Sequence, residues 1–130
     1  MGKKALAFVG IVDDDESVRD AISSLLRSAG YKTAGFASAE AFLQARSCAE
    51  PDCLVLDVRM PGLSGLELQR ELHDLKSPIP VIFITAHNDD QVRATALQQG
   101  AAAFLGKPFN DDALLGAIDS AIEDDGTPAK

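Results

Sequence analysis

The chain has 130 residues, the length of a single domain, and 46% of them are hydrophobic, which is enough for an ordinary buried core. Its 20 acidic and 12 basic residues give a net charge of −8, which argues against direct binding of nucleic acid or of an acidic membrane surface. No apolar run reaches the ~20 residues of a membrane span, and Cys48 and Cys53 lack metal or redox spacing, so we expect a cytoplasmic protein with reduced thiols.

The first predicted element is a buried strand from Ala5 to Val12, a continuous apolar run. Its start imitates a signal peptide, but acids follow at once without a small-residue cleavage site, so we reject that interpretation. A helix comes next and ends at Gly30, the predicted C-cap. The apolar side chains of this helix recur at helical spacing and are Val18, Ala21, Ile22, Leu25, Leu26 and Ala29.

Four consecutive acids, Asp13 to Glu16, separate the first strand from this helix. Acids in the first helical turn interact favourably with the helix dipole, and this explains Asp15 and Glu16 well. It explains Asp13 and Asp14 less well, because they lie at the end of the strand rather than inside the helix. These two are therefore candidate site residues.

A second strand and a short helix follow. Tyr31 to Phe36 predicts the strand, although its pattern is weaker than that of the first. Ser38 is predicted to start the helix, which buries Phe42 and Leu43.

The most informative stretch is the apolar run of residues 54 to 56, which ends in Asp57 and is followed by a Pro61-Gly62 turn. A buried strand built this way delivers Asp57 to its carboxyl end, where ligands bind in open α/β sheets. Ser64 and Glu67 form an S-x-x-E capping box for a third helix. The predicted inward stripe of that helix is Leu68, Leu72 and Leu75.

The fourth strand is the apolar run from Val81 to Ile84, and it ends at Thr85, in the place that parallels Asp57. Asn88 is the predicted cap of the fourth helix. This helix is thinly apolar, so it is a candidate for movement or for contact with a partner. Its apolar positions are Val92, Ala96 and Leu97.

The last strand is short and covers residues 102 to 105; it leads into Lys107 and Pro108. Asn110 is the predicted cap of the final helix, whose stripe is Leu114, Ile118, Ala121 and Ile122. We assign the domain to residues 1 to 123 and interpret residues 124 to 130 as a tail or the start of a linker.

Five strands that alternate with five helices predict an α/β fold, in which a five-stranded parallel sheet is doubly wound, with helices on both faces. Right-handed crossovers bring all five carboxyl ends of the strands to one edge. The side chains delivered there are Asp13, Asp14, Asp57, Thr85 and Lys107. Each alone is weak evidence, since such residues usually cap helices, bond the local backbone or face solvent. Their convergence indicates a site.

The chemistry of this set points to magnesium and phosphate. Three carboxylates in one small site need a cation, and so few hard oxygen ligands suit Mg²⁺. A lysine cation and a threonine donor supply the other contacts that a transferring phosphoryl group needs. One carboxylate can then act as the nucleophile.

Four motifs, in this order and spacing, make the sequence resemble a response-regulator receiver domain of two-component signalling over nearly the whole chain. They are Val12-Asp13-Asp14-Asp15, Leu56 to Gly62, Ile84-Thr85-Ala86-His87 and Lys107-Pro108-Phe109. The pattern is most similar to the FixJ-like branch. The resemblance implies the flavodoxin-like and CheY-like (βα)5 fold with strand order 2-1-3-4-5, and none of the five site residues departs from the family pattern.

The resemblance also implies roles in phosphoryl transfer. Asp57 is expected to accept the phosphoryl group from a phosphohistidine of a sensor histidine kinase or a phosphotransfer protein. Mg²⁺ is expected to be bound by Asp14, Asp57 and the backbone carbonyl of Arg59, with Asp13 holding a metal-bound water.

Other residues are expected to respond to the phosphate. Lys107 pairs with Asp57 or with phosphoryl oxygens, and its peptide bond to Pro108 is expected to be cis. Thr85 swings to bind the phosphate and Phe104 rotates inward behind it, although an aromatic on a strand is usually just part of the core. The surface of the fourth helix, fifth strand and fifth helix then changes. We predict phosphorylation-linked homodimerisation on that face, and control of a downstream effector, through transcription or a phosphorelay.

Arg59 and His87 lie two residues after Asp57 and Thr85. The hypothesis is that they flank the line of water attack on the aspartyl phosphate and tune its lifetime. Two exposed polar residues without such a role are an equally good interpretation.

Two other classes of function stay open at this stage. A small-molecule phosphatase or phosphotransferase can also use an aspartate nucleophile, but Asp57-Val58-Arg59 lacks the second acid of a D-x-D motif and the chain has no cap domain. A phosphate-independent interaction module is disfavoured by the complete set of site residues. We therefore expect no enzyme activity beyond the domain's own phosphotransfer and autodephosphorylation.

Overall fold

The computed structural model describes residues 7–45, 51–58, 62, 64–75, 79–85, 90–106 and 110–123. Within those ranges strands and helices alternate, as the sequence predicts. The elements are β1 (Phe8–Val12), α1 (Glu16–Ser28), β2 (Lys32–Phe36), α2 (Ala39–Ala45), β3 (Cys53–Asp57), α3 (Gly65–Asp74), β4 (Val81–Thr85), α4 (Asp90–Gln98), β5 (Ala103–Gly106) and α5 (Asp111–Glu123).

The five strands form one parallel sheet in the order β2-β1-β3-β4-β5, which confirms the expected topology. The chain order reverses between β1 and β3, and such a switch point leaves a crevice at the carboxyl ends of the strands. Val12 of β1 pairs with Leu56 of β3. Asp13 directly follows Val12, and Asp57 directly follows Leu56. The fold therefore places these two acids side by side at the crevice.

Each face of the sheet carries its own apolar core. On one face, α1 and α5 bury Ile22, Leu26, Leu114 and Ile118 against the sheet. On the other, α2, α3 and α4 pack around Phe42, Leu68, Leu72 and Ala96. Full burial of one such large side chain stabilises the fold by roughly 1.5–3 kcal/mol. The strands that carry the crevice therefore lie between two packed layers, and all five residues of β3 are buried.

The predicted helix starts agree with the structure where they can be compared, whereas the C-cap of α1 is Ala29 rather than the predicted Gly30, which follows it with a φ of 99°. Asp15 is the N-cap of α1, and its carboxylate accepts the backbone N–H of Ser17 at 2.9 Å. Ser64 and Glu67 form the expected capping box on α3. Asn110 accepts the N–H of Asp112 at 2.7 Å at the start of α5. The predicted cap Asn88 lies outside the described residues.

Several side chains assigned to helix stripes are not in the core. Leu75 was placed on the inward stripe of α3, but the helix ends at Asp74 and Leu75 is 51% exposed, because it lies in the cap and leaves the helical face. Leu97, in the last turn of α4, is 41% exposed. Ala21 and Ala29 of the first helical segment are exposed as well. Apolar spacing alone thus overestimates burial near helix ends and at small side chains.

Three strands begin later than predicted, and β5 also extends one residue further, to Gly106. Ala7, which lies inside the predicted first strand, precedes β1. Tyr31 is buried but precedes β2, and its hydroxyl donates a hydrogen bond to the carboxylate of Asp119 in α5. Ala102 precedes β5. The Cys53 side chain is buried, whereas Cys48 falls outside the described ranges. In the part of the chain that the structure describes, no helix has the length and apolar content to cross a bilayer.

Candidate acidic metal site

Three carboxylates meet at the carboxyl ends of β1 and β3. Asp13, Asp14 and Asp57 each offer one carboxylate oxygen, and these oxygens lie within 4.8 Å of one another. Asp13 and Asp57 are buried, with exposures of 0% and 7%, whereas Asp14 is exposed. Two unit charges this far apart repel by roughly 3–4 kcal/mol at an effective dielectric constant of about 20. The cluster therefore favours binding of a cation.

The turn that carries Asp13 is held on several sides. The backbone N–H of Asp13 donates to the carbonyl of Phe36 at 3.1 Å, which continues the pairing of β1 with β2. Its carboxylate Oδ1 accepts the N–H of Asp15 at 2.9 Å, and its carbonyl accepts Nη1 of Arg19 at 2.7 Å. Since Asp15 also caps α1, both flanks of Asp14 are fixed.

The position of Asp57 is set by the close approach of α3. The backbone N–H of Gly65, at the start of α3, donates to the carbonyl of Val58 at 3.0 Å. A Cβ at residue 65 would lie 2.2 Å from the carbonyl oxygen of Asp57, which is far inside normal contact. Only glycine therefore allows the first turn of α3 to rest on this backbone. Sequence reasoning missed Gly65, although a poor helix former directly after an N-cap is a signal that could have found it.

The turn after Asp57 also depends on glycine. Gly62 has a φ of +76°, in the left-handed region that favours glycine, as expected for a Pro-Gly turn. The carboxylate of Glu40 in α2 lies close to it, with Oε2 only 3.1 Å from where a Cβ at residue 62 would be. The turn thus lies close to α2, and it is the left-handed backbone conformation of Gly62 that favours glycine there.

Thr85 and Phe104 lie on the next two strands. Thr85 ends β4 and is 2% exposed; its strand pairs with β3, with Asp57 opposite Ile84. Phe104 lies in β5, is partly buried, and its ring centroid is 6.1 Å from that of Phe83. Thr85 therefore lies at the carboxyl end of the strand next to β3, and Phe104 lies on the side of the sheet where α4 packs.

Four predicted site residues cannot be compared with the structure. Arg59, His87, Lys107 and Pro108 lie outside the described residues. The metal ligand expected from the Arg59 carbonyl, the cis bond before Pro108, the phosphate contact of Lys107 and the tuning role of Arg59 and His87 thus stay predictions.

A hydrogen bond joins α3 to α4, and the sequence did not predict it. Gln69 of α3 is buried, with 5% exposure, and its Nε2 donates to the carbonyl of Ala96 in α4 at 3.1 Å. Its Oε1 is buried and lacks a hydrogen-bond partner among the described residues. Ala96 is the buried residue of α4, and its side chain is small. The hydrogen bond from Gln69 therefore adds to a small apolar contact between α4 and the core.

The donor set fits a small hard cation. It consists of carboxylate oxygens without a nitrogen or sulfur ligand, which suits Mg²⁺ rather than zinc. Ligand oxygens around octahedral Mg²⁺ are about 3 to 4 Å apart, given bonds of roughly 2.1 Å. The mutual distance of up to 4.8 Å is close to this, so little movement is needed to bind the ion.

Comparison with known proteins gives concordant results. A family model described as the response regulator receiver domain matches residues 9–119. The chain is 48% identical over 113 residues to the response regulator protein TmoT of Ectopseudomonas mendocina, covering 87% of the chain and 51% of TmoT. It is 48% identical over 122 residues to nodulation protein W of Bradyrhizobium diazoefficiens, covering 94% of the chain and 53% of that protein.

Among solved structures, a crystal structure of FixJ-N matches with a TM-score of 0.85 and 41% identity, covering 95% of this chain and 98% of that one. A chemotaxis protein CheY4 of Vibrio cholerae matches with a TM-score of 0.82 and 28% identity, covering 89% and 98%. The chain spans about half the length of the curated relatives it matches.

Proposed function

Because the chain belongs to the response regulator receiver family of two-component signalling, we propose that Asp57 accepts a phosphoryl group from the phosphohistidine of a sensor histidine kinase or phosphotransfer protein. The observation that carries this proposal is the meeting of Asp13, Asp14 and Asp57 at one strand edge. Asp57 is the buried member that ends a strand, and its backbone is braced by α3. A nucleophile needs such a fixed position.

In the proposed transfer, a carboxylate oxygen of Asp57 forms a bond to phosphorus while the bond from the donor's histidine nitrogen to phosphorus breaks. Asp14, Asp57 and the backbone carbonyl of Arg59 would hold Mg²⁺, and Asp13 would hold it through water. When bound, Mg²⁺ neutralises the charge of the carboxylates and of the phosphoryl oxygens. The buried Asp13, fixed by its hydrogen bonds, keeps the ligand set in place.

The acidic site is proposed to control α4 through the neighbouring strands. Thr85 and Lys107 would bind the phosphoryl oxygens, and Phe104 would move inward as Thr85 shifts. The small anchor of α4 supports this, because a helix with one buried residue can change position at low energetic cost. The altered surface of α4, β5 and α5 would form a homodimer and act on an effector, which is transcriptional by analogy with relatives named as transcriptional regulatory proteins.

Residues outside the described ranges complete the proposal. Arg59 and His87 would tune the lifetime of the aspartyl phosphate, and a cis bond before Pro108 would orient Lys107. The domain would catalyse only its own phosphorylation and dephosphorylation.

The test is incubation with acetyl phosphate and Mg²⁺, followed by mass spectrometry of the intact chain and of its peptides. We expect one adduct of about 80 Da on Asp57, and its loss when Mg²⁺ is removed by a chelator. Asp57→Asn should abolish the adduct. Asp20→Asn is the matched control, since Asp20 is exposed on α1 and the charge change is the same. A folded wild-type chain without an adduct, or with the adduct on another residue, would contradict the proposal.

A further inference from the structure

Arg19 has an unusual position in α1. It is the fourth residue of α1 and follows the last of the four acids by three residues, near the helix end where the dipole favours anions rather than cations. The Arg19 side chain makes a specific contact with the turn that precedes the helix. The structure shows the contact: Nη1 of Arg19 reaches back over the first turn and donates to the carbonyl of Asp13 at 2.7 Å.

The side-chain atoms Cδ and Nε of Arg19 lie close to Gly35 of the neighbouring strand β2. A Cβ at Gly35 of β2 would lie 3.3 Å from Cδ and 3.7 Å from Nε of Arg19. Gly35 does not have a positive φ, so its lack of a side chain is used for space and not for backbone conformation. Arg19 therefore spans from α1 across β2 to the end of β1.

We propose that Arg19 is a positioning residue for the acidic site, which holds the turn of residues 13 to 15 in its metal-binding conformation before the metal arrives. Asp13 is held there at its N–H by Phe36 and at its Oδ1 by the N–H of Asp15. The guanidinium fixes the remaining backbone group, the carbonyl. A hydrogen bond from a charged donor is stronger than a neutral one, so this contact is well suited to hold the turn. This inference rests on the metal site of the proposed function.

Two roles of Arg19 predict effects of opposite sign. If Arg19 acted only as a positive charge near the carboxylates, its removal would strengthen the binding of a divalent cation by relieving repulsion. If it positions the turn, its removal weakens binding, because part of the binding free energy is then used to order the turn. Loss of groups that orient metal ligands typically weakens metal binding 10–100-fold.

The test is a titration of the ¹⁵N-labelled chain with MgCl₂, followed by backbone amide NMR shifts, together with amide exchange in the metal-free chain. We expect Arg19→Met to weaken Mg²⁺ binding about tenfold and to speed exchange of the Asp15 amide. Arg19→Lys keeps the positive charge but lacks the planar guanidinium group. It should weaken Mg²⁺ binding at least as much as Arg19→Met does. Gly35→Ala disturbs the stem from the other side and should act in the same direction.

Arg27→Met is the matched control, because Arg27 is exposed in the last turn of the same helix and the change in charge is identical. It should leave Mg²⁺ affinity and the exchange of the Asp15 amide unchanged. Tighter Mg²⁺ binding by Arg19→Met, with unaltered exchange, would overturn the proposal in favour of a charge effect. If the wild-type chain shows no Mg²⁺ shifts, the proposed function fails, while the exchange measurement still decides whether Arg19 fixes the turn.

Discussion

Replacing Gly65 with alanine tests how firmly α3 sets the position of Asp57. The added Cβ would lie 2.2 Å from the carbonyl oxygen of Asp57 and 3.0 Å from Cα of Val58. A close carbon–oxygen contact is about 3.3 Å, so the first turn of α3 must retreat by roughly 1 Å. Overpacking of this kind costs about 3 kcal/mol where backbone meets backbone. The better helix propensity of alanine returns about 1 kcal/mol, which leaves a net loss of about 2 kcal/mol.

The assay is urea unfolding followed by circular dichroism, in parallel with the rate of phosphorylation by acetyl phosphate. With a denaturant slope of about 2 kcal/mol per molar, the midpoint of Gly65→Ala should fall by about 1 M urea. The phosphorylation rate should fall as well, because the carbonyl next to the nucleophile is displaced. Gly116→Ala is the control: an added Cβ there meets nothing within 4 Å, so alanine should stabilise α5 by roughly 0.5–1 kcal/mol. A Gly65→Ala chain as stable and as reactive as wild type would refute the reasoning.

Two further predictions concern the cluster and α4. Asp14→Asn relieves repulsion among the three carboxylates, so the urea midpoint of the variant in EDTA should exceed that of wild type. MgCl₂ should raise the midpoint of wild type but not that of the variant. A variant whose midpoint rises as much as that of wild type would show that Asp14 is not a ligand. Gln69→Met removes the buried Oε1, which lacks a described partner, and the bond to Ala96. Since an unpaired buried acceptor costs about 1–3 kcal/mol and a hydrogen bond contributes about 1, the global unfolding free energy should stay equal or rise by up to about 2 kcal/mol. Amide exchange in α4 should nevertheless become faster; an unfolding free energy that falls by more than about 2 kcal/mol would contradict this.

The sequence predicted that the acids share one edge, because parallel strands end on the same side of a sheet. They meet because β1 and β3 are neighbours, and this strand order was expected from the family resemblance. That Asp13, Asp14 and Asp57 lie at one edge was therefore accessible to reasoning on strand ends alone. Thr85 was accessible for the same reason, since β4 is the next strand.

The features that were missed depend on how neighbouring elements fit together in space and on where a helix ends, which spacing within one element does not show. Gly65 is required by the distance of α3 from the Asp57 backbone; a glycine directly after an N-cap marks an unusual position, but it does not give that distance. Arg19 was passed over because helical spacing says only that it is off the apolar stripe. Leu75 was misplaced for a related reason: periodicity continues past the point where the helix ends. Local propensity and spacing thus define elements and edges, but not the fit between them.

The unequal anchoring of the helices has a consequence for partial unfolding. β3 is buried along its whole length and is bonded on both sides, whereas α4 is held by the buried Ala96, the partly buried Val92 and a side-chain hydrogen bond from Gln69. Local opening is governed by such differences in burial, so α4 opens at lower free energy than the strands that hold the acids. A chain that has lost α4 structure would keep its acidic crevice assembled. Damage confined to α4 is therefore expected to give a receiver that still takes up phosphate but no longer transmits the signal.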